Sequence, residues 1–206
     1  SREVVQGVLP KIFEDRIVIT YVGSIAPVRG LVEHINSIDT YSGNNKIELH
    51  LVGEIDPRTE ERIQSEITNI EMKIHGRLPH TETLSIVAGS DITLCLINPK
   101  VENYRYSYPI KVFEYAYFGT AIIASDFPGI RTILTDEIDA LLVNSSNRKE
   151  VVSAVTRLAT NKALREQLGI AASKRAADFY WEDICKQYVQ AVGSVVEPSA
   201  RSSNVE

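Results

Sequence analysis

Residues 17–23, Ile-Val-Ile-Thr-Tyr-Val-Gly, form an apolar-rich run that closes on a glycine. Its length and β-branched content predict a buried strand ending in a turn. The same signature returns at Ile47-Glu48-Leu49-His50-Leu51-Val52-Gly53 and, shorter, at Met72-Lys73-Ile74-His75-Gly76. Between the first two lies Pro27 to Ile38, where Leu31, Ile35 and Ile38 recur at helical spacing. Between the second and third lies Pro57 to Ile70, a helix opened by a proline whose missing N–H would be unpaired in a first turn anyway.

Outward from there the alternation continues. Thr81 to Ala88 predicts a short helix, Asp91 to Ile97 a fourth strand, and Pro109 to Phe118 a helix stopped by Gly119. Ala121 to Ser125 and Ala140 to Val143 predict the fifth and sixth strands. Helices follow at Arg148–Thr160, Ala163–Phe179 and Trp181–Val192. Strands alternating with helices imply a mostly parallel sheet covered on both faces. The expected fold is therefore one Rossmann-like, doubly wound α/β domain with six strands and C-terminal helices. It spans 17–193, after a linker at 1–16 and before a tail at 194–206 that frays from Glu197 onward.

The chain has 206 residues, 44% hydrophobic and 24% charged, with a formal charge of −5. Those values suit a globular domain and argue against a nucleic-acid polymer as partner. No apolar run approaches a membrane span, and Ser-Arg-Glu-Val-Val-Gln is no signal peptide. The absent initiating Met makes a fragment or processed product the expectation. Cys95 and Cys185 read as reduced core or half-buried thiols. The four histidines, 34, 50, 75 and 80, show no metal-ligand spacing, and Asp126, Asp136 and Asp139 form no Asp-x-Asp.

In doubly wound sheets ligands sit beyond the carboxyl ends of the strands, which selects 23–30, 53–57, 76–82, 97–111 and 125–131. In Gly23-Ser24-Ile25-Ala26-Pro27-Val28-Arg29-Gly30, the glycine admits a close ligand and Arg29 offers a phosphate clamp. An ordinary turn with a solvated arginine has the same pattern, which is neither Gly-x-Gly-x-x-Gly nor a P-loop. In Ser107-Tyr108-Pro109-Ile110-Lys111-Val112-Phe113-Glu114-Tyr115-Ala116, Lys111 and Glu114 share one helix face. The carboxylate could accept from two sugar hydroxyls and the ammonium neutralise a diphosphate; a surface ion pair is the plain alternative. Tyr104, Arg105, Tyr106 and Tyr108 either stack on a base or sugar or pack the loop. Asp126 is expected to cap a short helix near Pro128.

Taken together, these segments resemble the C-terminal, donor-binding half of a GT-B glycosyltransferase, nearest the retaining family 4, the group 1 glycosyl transferases. The resemblance covers about Ile17 to Val192. It rests on Tyr-Val-Gly-Ser…Arg-Gly, Leu-Val-Gly, His-Gly-Arg-Leu, Gly-Ser-Asp-Ile-Thr-Leu-Cys-Leu, Pro-Ile-Lys-Val-Phe-Glu-Tyr-Ala and Gly-Thr-Ala-Ile-Ile-Ala-Ser-Asp-Phe-Pro-Gly. It implies a nucleotide-diphosphate sugar as donor substrate, no resident cofactor, no metal, and a separate N-terminal domain for the acceptor. It implies a donor site of Gly23, Ser24, Arg29, Leu78, Tyr108, Pro109, Ile110, Lys111 and Glu114, with Glu114 on the ribose, Lys111 and Arg29 on the diphosphate and Leu78 by the base. No catalytic base is expected from this half.

The sequence departs from the family pattern at three points. Tyr106 stands where a second Glu is common, Ser24 where a cation is common, and Pro109 where many members have Gly. The resemblance implies transfer to a glycan or lipid-linked acceptor in polysaccharide biosynthesis. It also implies a cytoplasmic location, peripheral at a membrane through the absent domain, and no sugar transfer by this chain alone. The alternatives are a non-catalytic nucleotide-sugar-binding module and a GT-B sugar-nucleotide epimerase.

Overall fold

The computed structural model describes residues 7–13 and 16–196. The expected tail from Glu197, and residues 1–6, 14 and 15 of the expected linker, lie outside the described residues. Six strands, β1 (Ile17–Val22), β2 (Ile47–Val52), β3 (Glu71–Gly76), β4 (Ile92–Cys95), β5 (Ala121–Ser125) and β6 (Leu141–Val143), pair in the order β3-β2-β1-β4-β5-β6. Every pairing is parallel. This is the doubly wound order, and its direction reverses between β1 and β4, where such sheets open a crevice.

The helices are α1 (Leu31–Ile38), α2 (Pro57–Glu66), α3 (His80–Ala88), α4 (Ile110–Tyr117), α5 (Pro128–Arg131), α6 (Arg148–Thr160), α7 (Lys162–Ala176) and α8 (Trp181–Val196). Alternation along the strands divides the core in two. In β5, Ala121 and Ile123 join the apolar cluster under α1, α2 and α6, while Ile122 and Ala124 join the one under α3, α4, α5 and α7. Double burial is why β1, β4 and β5 read as nearly continuous apolar runs.

Several sequence-predicted boundaries shift, each for an identifiable physical reason. The helix expected over Pro27–Ile38 is two elements, a 3-10 turn at Pro27–Arg29 and then α1. Gly30, at φ 67°, turns the chain between them in a conformation that a side chain disfavours. The helix expected to reach Ile70 stops at Glu66, because the Asp39 carboxylate accepts the backbone N–H groups of Thr68, Asn69 and Ile70. Asp126 does not cap α5. Phe127 occupies the cap position without a side-chain bond, and Asp126 instead holds Arg131 through both carboxylate oxygens. The expected linker, over residues 7–13, lies on α3: Lys11 N donates to Ser85 O, and Ser85 Oγ donates to Leu9 O.

Polar groups inside the fold titrate away from their ordinary ranges. His34, buried on α1 with no partner for Nε2 among the described residues, is pushed down to about 4, mainly by burial. Burial also lowers His50 and His75, which meet at 3.0 Å between Nδ1 and Nε2. Glu48, beneath them on β2, is pushed up by burial. Hydrogen bonds from Lys73, His50 and Arg16 outweigh that and hold it at about 2. An imidazole kept neutral by the fold stabilises it above about pH 6.5, and that contribution is lost as the unfolded chain takes up protons below this pH. Glu48 contributes above about pH 4.5 and is lost below it. Urea unfolding should therefore show stability falling from pH 6.5 to pH 4. His34 accounts for at most about 3 kcal/mol, and His34→Leu should flatten the decline.

Candidate functional site

The first three strands deliver their glycine turns to one edge, and backbone hydrogen bonds carry the sheet pattern into those turns. Gly23 N donates to Val52 O, Ile25 N to Glu54 O and Gly53 N to Gly76 O, each at 2.8 Å. Gly53, at φ 149°, lies so close to Gly23 O that a Cβ would collide with it. The requirement at that point is close approach of two backbones, and only glycine meets it. The result is a floor without side chains. Above it opens a cleft of about 710 Å³, walled by Val22, Gly23, Ser24, Val52, Gly53, Glu54, Arg77, Leu78, Pro79, His80 and Thr83.

Beyond Thr20 the β1–β4 pairing has ended, and α4 takes over the free edge of β1. Tyr115 Oη accepts Val22 N at 3.0 Å, and Lys111 Nζ donates to Val22 O at 2.9 Å. Residues four apart on a helix share a face, so α4 satisfies both polar groups of one strand residue. Tyr115 is fully buried, and burial pushes its hydroxyl well above the ordinary phenol range, so it stays protonated. The Lys111 ammonium also sits 4.0 Å from the centroid of the Tyr21 ring. An ammonium has three N–H donors; the Val22 carbonyl takes one.

Across Lys111 from the cleft is a second cavity of about 200 Å³, lined by Tyr21, Arg29, Leu96, Ile97, Asn98, Tyr104, Ser107, Pro109 and Lys111. Its lining carries two cations and no carboxylate. The Arg29 guanidinium stacks 4.9 Å from the Tyr104 ring centroid. Asn98 Nδ2 donates to Val28 O at 2.8 Å, tying the segment after β4 to the turn that bears Arg29. The arrangement can concentrate negative charge at the β1–β4 reversal.

The structure therefore brings Gly23, Ser24, Arg29, Leu78, Pro109 and Lys111 to the linings of the two cavities at one end of the sheet, with Tyr108 and Ile110 exposed beside Pro109. Glu114 lines neither cavity and is joined to the cleft through His80. Lys111 and Glu114 share a face as the spacing implies, yet they do not pair. Lys111 goes to Val22 O, and Glu114 Oε1 meets His80 Nε2 at 2.8 Å. The aromatic-basic group divides: Tyr104 packs under Arg29, Arg105 lies 5.5 Å from the Phe127 ring centroid, and Tyr106 and Tyr108 are exposed. Cys95 is buried and Cys185 half-buried, both as free thiols. Sequence reasoning did not single out Tyr21, His80, Asn98 or Tyr115 as site residues. His80 and Asn98 fall within the selected segments 76–82 and 97–111, and Tyr115 stands at an i,i+4 offset from Lys111.

Residues 9–175 match the family model described as glycosyl transferases group 1. The chain belongs to that family. Its sheet and flanking helices are those of a GT-B C-terminal domain. Sucrose-phosphate synthase from Thermosynechococcus elongatus superposes with a TM-score of 0.76 at 20% identity, over 93% of this chain and 50% of that one. HepE of Anabaena, in complex with UDP and glucose, gives 0.72 at 13% identity, over 87% and 49%. The C-terminal domain of a group 1 glycosyl transferase from Francisella tularensis gives 0.70 at 16%, over 85% and 97%. Among curated relatives, a D-inositol 3-phosphate glycosyltransferase of Geodermatophilus obscurus is 23% identical over 202 residues, 92% of this chain and 43% of its own length. The chain spans less than half the length of the curated relatives it matches. Among the described residues no helix is long and apolar enough to cross a membrane.

In this group 1 domain the grip on Val22 is open to test. Tyr115→Phe should destabilise the fold by about 1–3 kcal/mol, because it leaves a backbone N–H without its partner. Lys111→Met adds to this less than additively if both side chains act on one residue. A urea double-mutant cycle measures the coupling, and full additivity would contradict the shared anchor.

Proposed function

We propose that this chain is the donor half of a retaining glycosyltransferase that moves a sugar from a nucleotide diphosphate to a glycan or lipid-linked acceptor. The observation that carries the reading is the placement of Arg29 and Lys111 in one cavity without a carboxylate, beside a larger cleft floored by Gly23 and Gly53. The cleft suits a nucleoside, with Leu78 near the base and Glu114 accepting from ribose hydroxyls. The smaller cavity suits the diphosphate, and Tyr108, Pro109 and Ile110 border it where the sugar would emerge. HepE, a protein of like fold, is described in complex with UDP and glucose, which supports this class of ligand.

Breaking the bond from the anomeric carbon to the diphosphate places negative charge on the departing oxygen. Arg29 and Lys111 are positioned to stabilise that charge as it develops, as preorganised donors in a partly enclosed site do. In this reading the two side chains, rather than a divalent cation, supply the neutralising charge, and no resident cofactor takes part. The acceptor belongs to a further domain, and the chain by itself transfers no sugar. The protein acts in the cytoplasm, peripheral to a membrane through that domain. Tyr106 and Ser24, where the family pattern has a carboxylate and a cation, favour a second reading, a nucleotide-sugar-binding module without transfer. Glycosyl transfer by the full-length protein, abolished by Glu114→Ala, would eliminate it.

Calorimetric titration with uridine, guanosine and adenosine diphosphates tests the donor site. At least one should bind the native chain, and Lys111→Ala and Glu114→Ala should each weaken it by about tenfold or more. Failure of all three to bind contradicts the reading.

A further inference from the structure

His80 opens α3, immediately after the turn that carries Arg77, Leu78 and Pro79, and it lines the larger cleft. Its ring reaches across to α4, where Nε2 lies 2.8 Å from Glu114 Oε1. A carboxylate has only acceptors, so the ring nitrogen is the donor. The Glu114 side chain is 20% exposed and that of His80 54%; His80 lines the cleft, and Glu114, the less exposed member, is tied to that wall through His80. His80 takes one oxygen, and Oε2 has no hydrogen-bond partner among the described residues. This bond joins the β3–α3 turn, which walls the cleft, to the Lys111–Glu114 helix.

We propose that His80 is a positioning residue that holds the Glu114 carboxylate by Oε1 and leaves Oε2 to accept from the ribose hydroxyls, which makes nucleotide binding selective for ribose. The inference rests on the donor-site reading above and extends it to a residue outside the Lys111–Glu114 helix. Without a partner on Oε1 the carboxylate turns about its terminal bond, and a ligand must fix that rotor on binding. With His80 in place the acceptor is already aimed, and that portion of the ordering cost is met before the ligand arrives. The effect belongs to the ribose alone, since the base and diphosphate meet other groups. A histidine that merely supported the packing of α3 would weaken every nucleotide alike.

The test compares a nucleoside diphosphate with its 2′,3′-dideoxy counterpart, taking the uridine, guanosine or adenosine form that binds native protein most tightly. Native protein should prefer the ribose form by about tenfold or more, and Glu114→Ala should abolish the preference. His80→Ala should cut the preference by about fivefold, through weaker binding of the ribose form. Affinity for the dideoxy form should stay within about twofold, which also shows that the variant is folded. His80→Gln, with an amide donor of similar reach, should recover a large part of the preference. A preference that depends on Glu114 but survives His80→Ala overturns this inference alone, as does equal weakening of both ligands. Absence of nucleotide binding or of ribose preference in native protein overturns the donor-site reading and this inference with it.

Discussion

Both polar groups of Val22 are taken by side chains of a single helix, Tyr115 on the N–H and Lys111 on the carbonyl. The site geometry follows from that grip. Beyond Thr20, β1 no longer pairs with β4, so without α4 an N–H and a carbonyl of β1 would have no partner at the point where the sheet opens. Supplying them from Tyr115 and Lys111 fixes α4 against the end of β1. It also places the Lys111 ammonium between the two cavities and Glu114 one turn along, within reach of His80. A wholly buried phenol makes that bond directional and keeps it neutral, while the ammonium retains donors beyond the one given to Val22.

The three strand-end glycines complete the arrangement from the other side. They bring β1, β2 and β3 close enough for backbone bonds to continue through the turns, and they leave the floor bare of side chains. A ligand there meets backbone below and the β3–α3 turn on one flank. Charge is graded along the same edge. The larger cleft carries Glu54, Arg77 and His80, and the smaller one only cations among its charged groups. Ser24 is exposed at the larger cleft and brings no charge to it; Arg29, stacked on Tyr104, is the cation of that first turn. Tyr106, two residues after the Tyr104 that lines the smaller cavity, is exposed.

Much of this was legible in the sequence because it depends on local patterns. Apolar runs closing on Gly23, Gly53 and Gly76 announce parallel strands that end in turns, and the order of the motifs carries the family. The face shared by Lys111 and Glu114 follows from helix geometry alone. Their partners do not, because each finds one far along the chain, Val22 and His80, where no spacing rule operates. Gly30 broke a predicted helix because its left-handed backbone outweighed the apolar periodicity around it. Asp39 ended another from thirty residues away by accepting three N–H groups. Asp126 carries a sound capping signature, but Arg131, one turn of α5 further on, offers a charged partner in place of backbone N–H groups. The losses have different causes: one glycine's backbone conformation, a side-chain pair within the next turn, and a long-range carboxylate that no spacing rule announces.

The central claim is that a nucleoside diphosphate lies across the ends of β1, β2 and β3 and against α4. The most direct measurement is amide chemical-shift mapping of the isotopically labelled chain during titration with uridine diphosphate, and with the guanosine and adenosine forms. The account predicts that the perturbed amides include Gly23, Arg29, Gly53, Leu78, Lys111 and Glu114, while the opposite edge, around Ile17, Ile47 and Ala121, stays unchanged. Perturbations confined to the opposite edge or to the outer helices, or none with any of the three nucleotides, would contradict it.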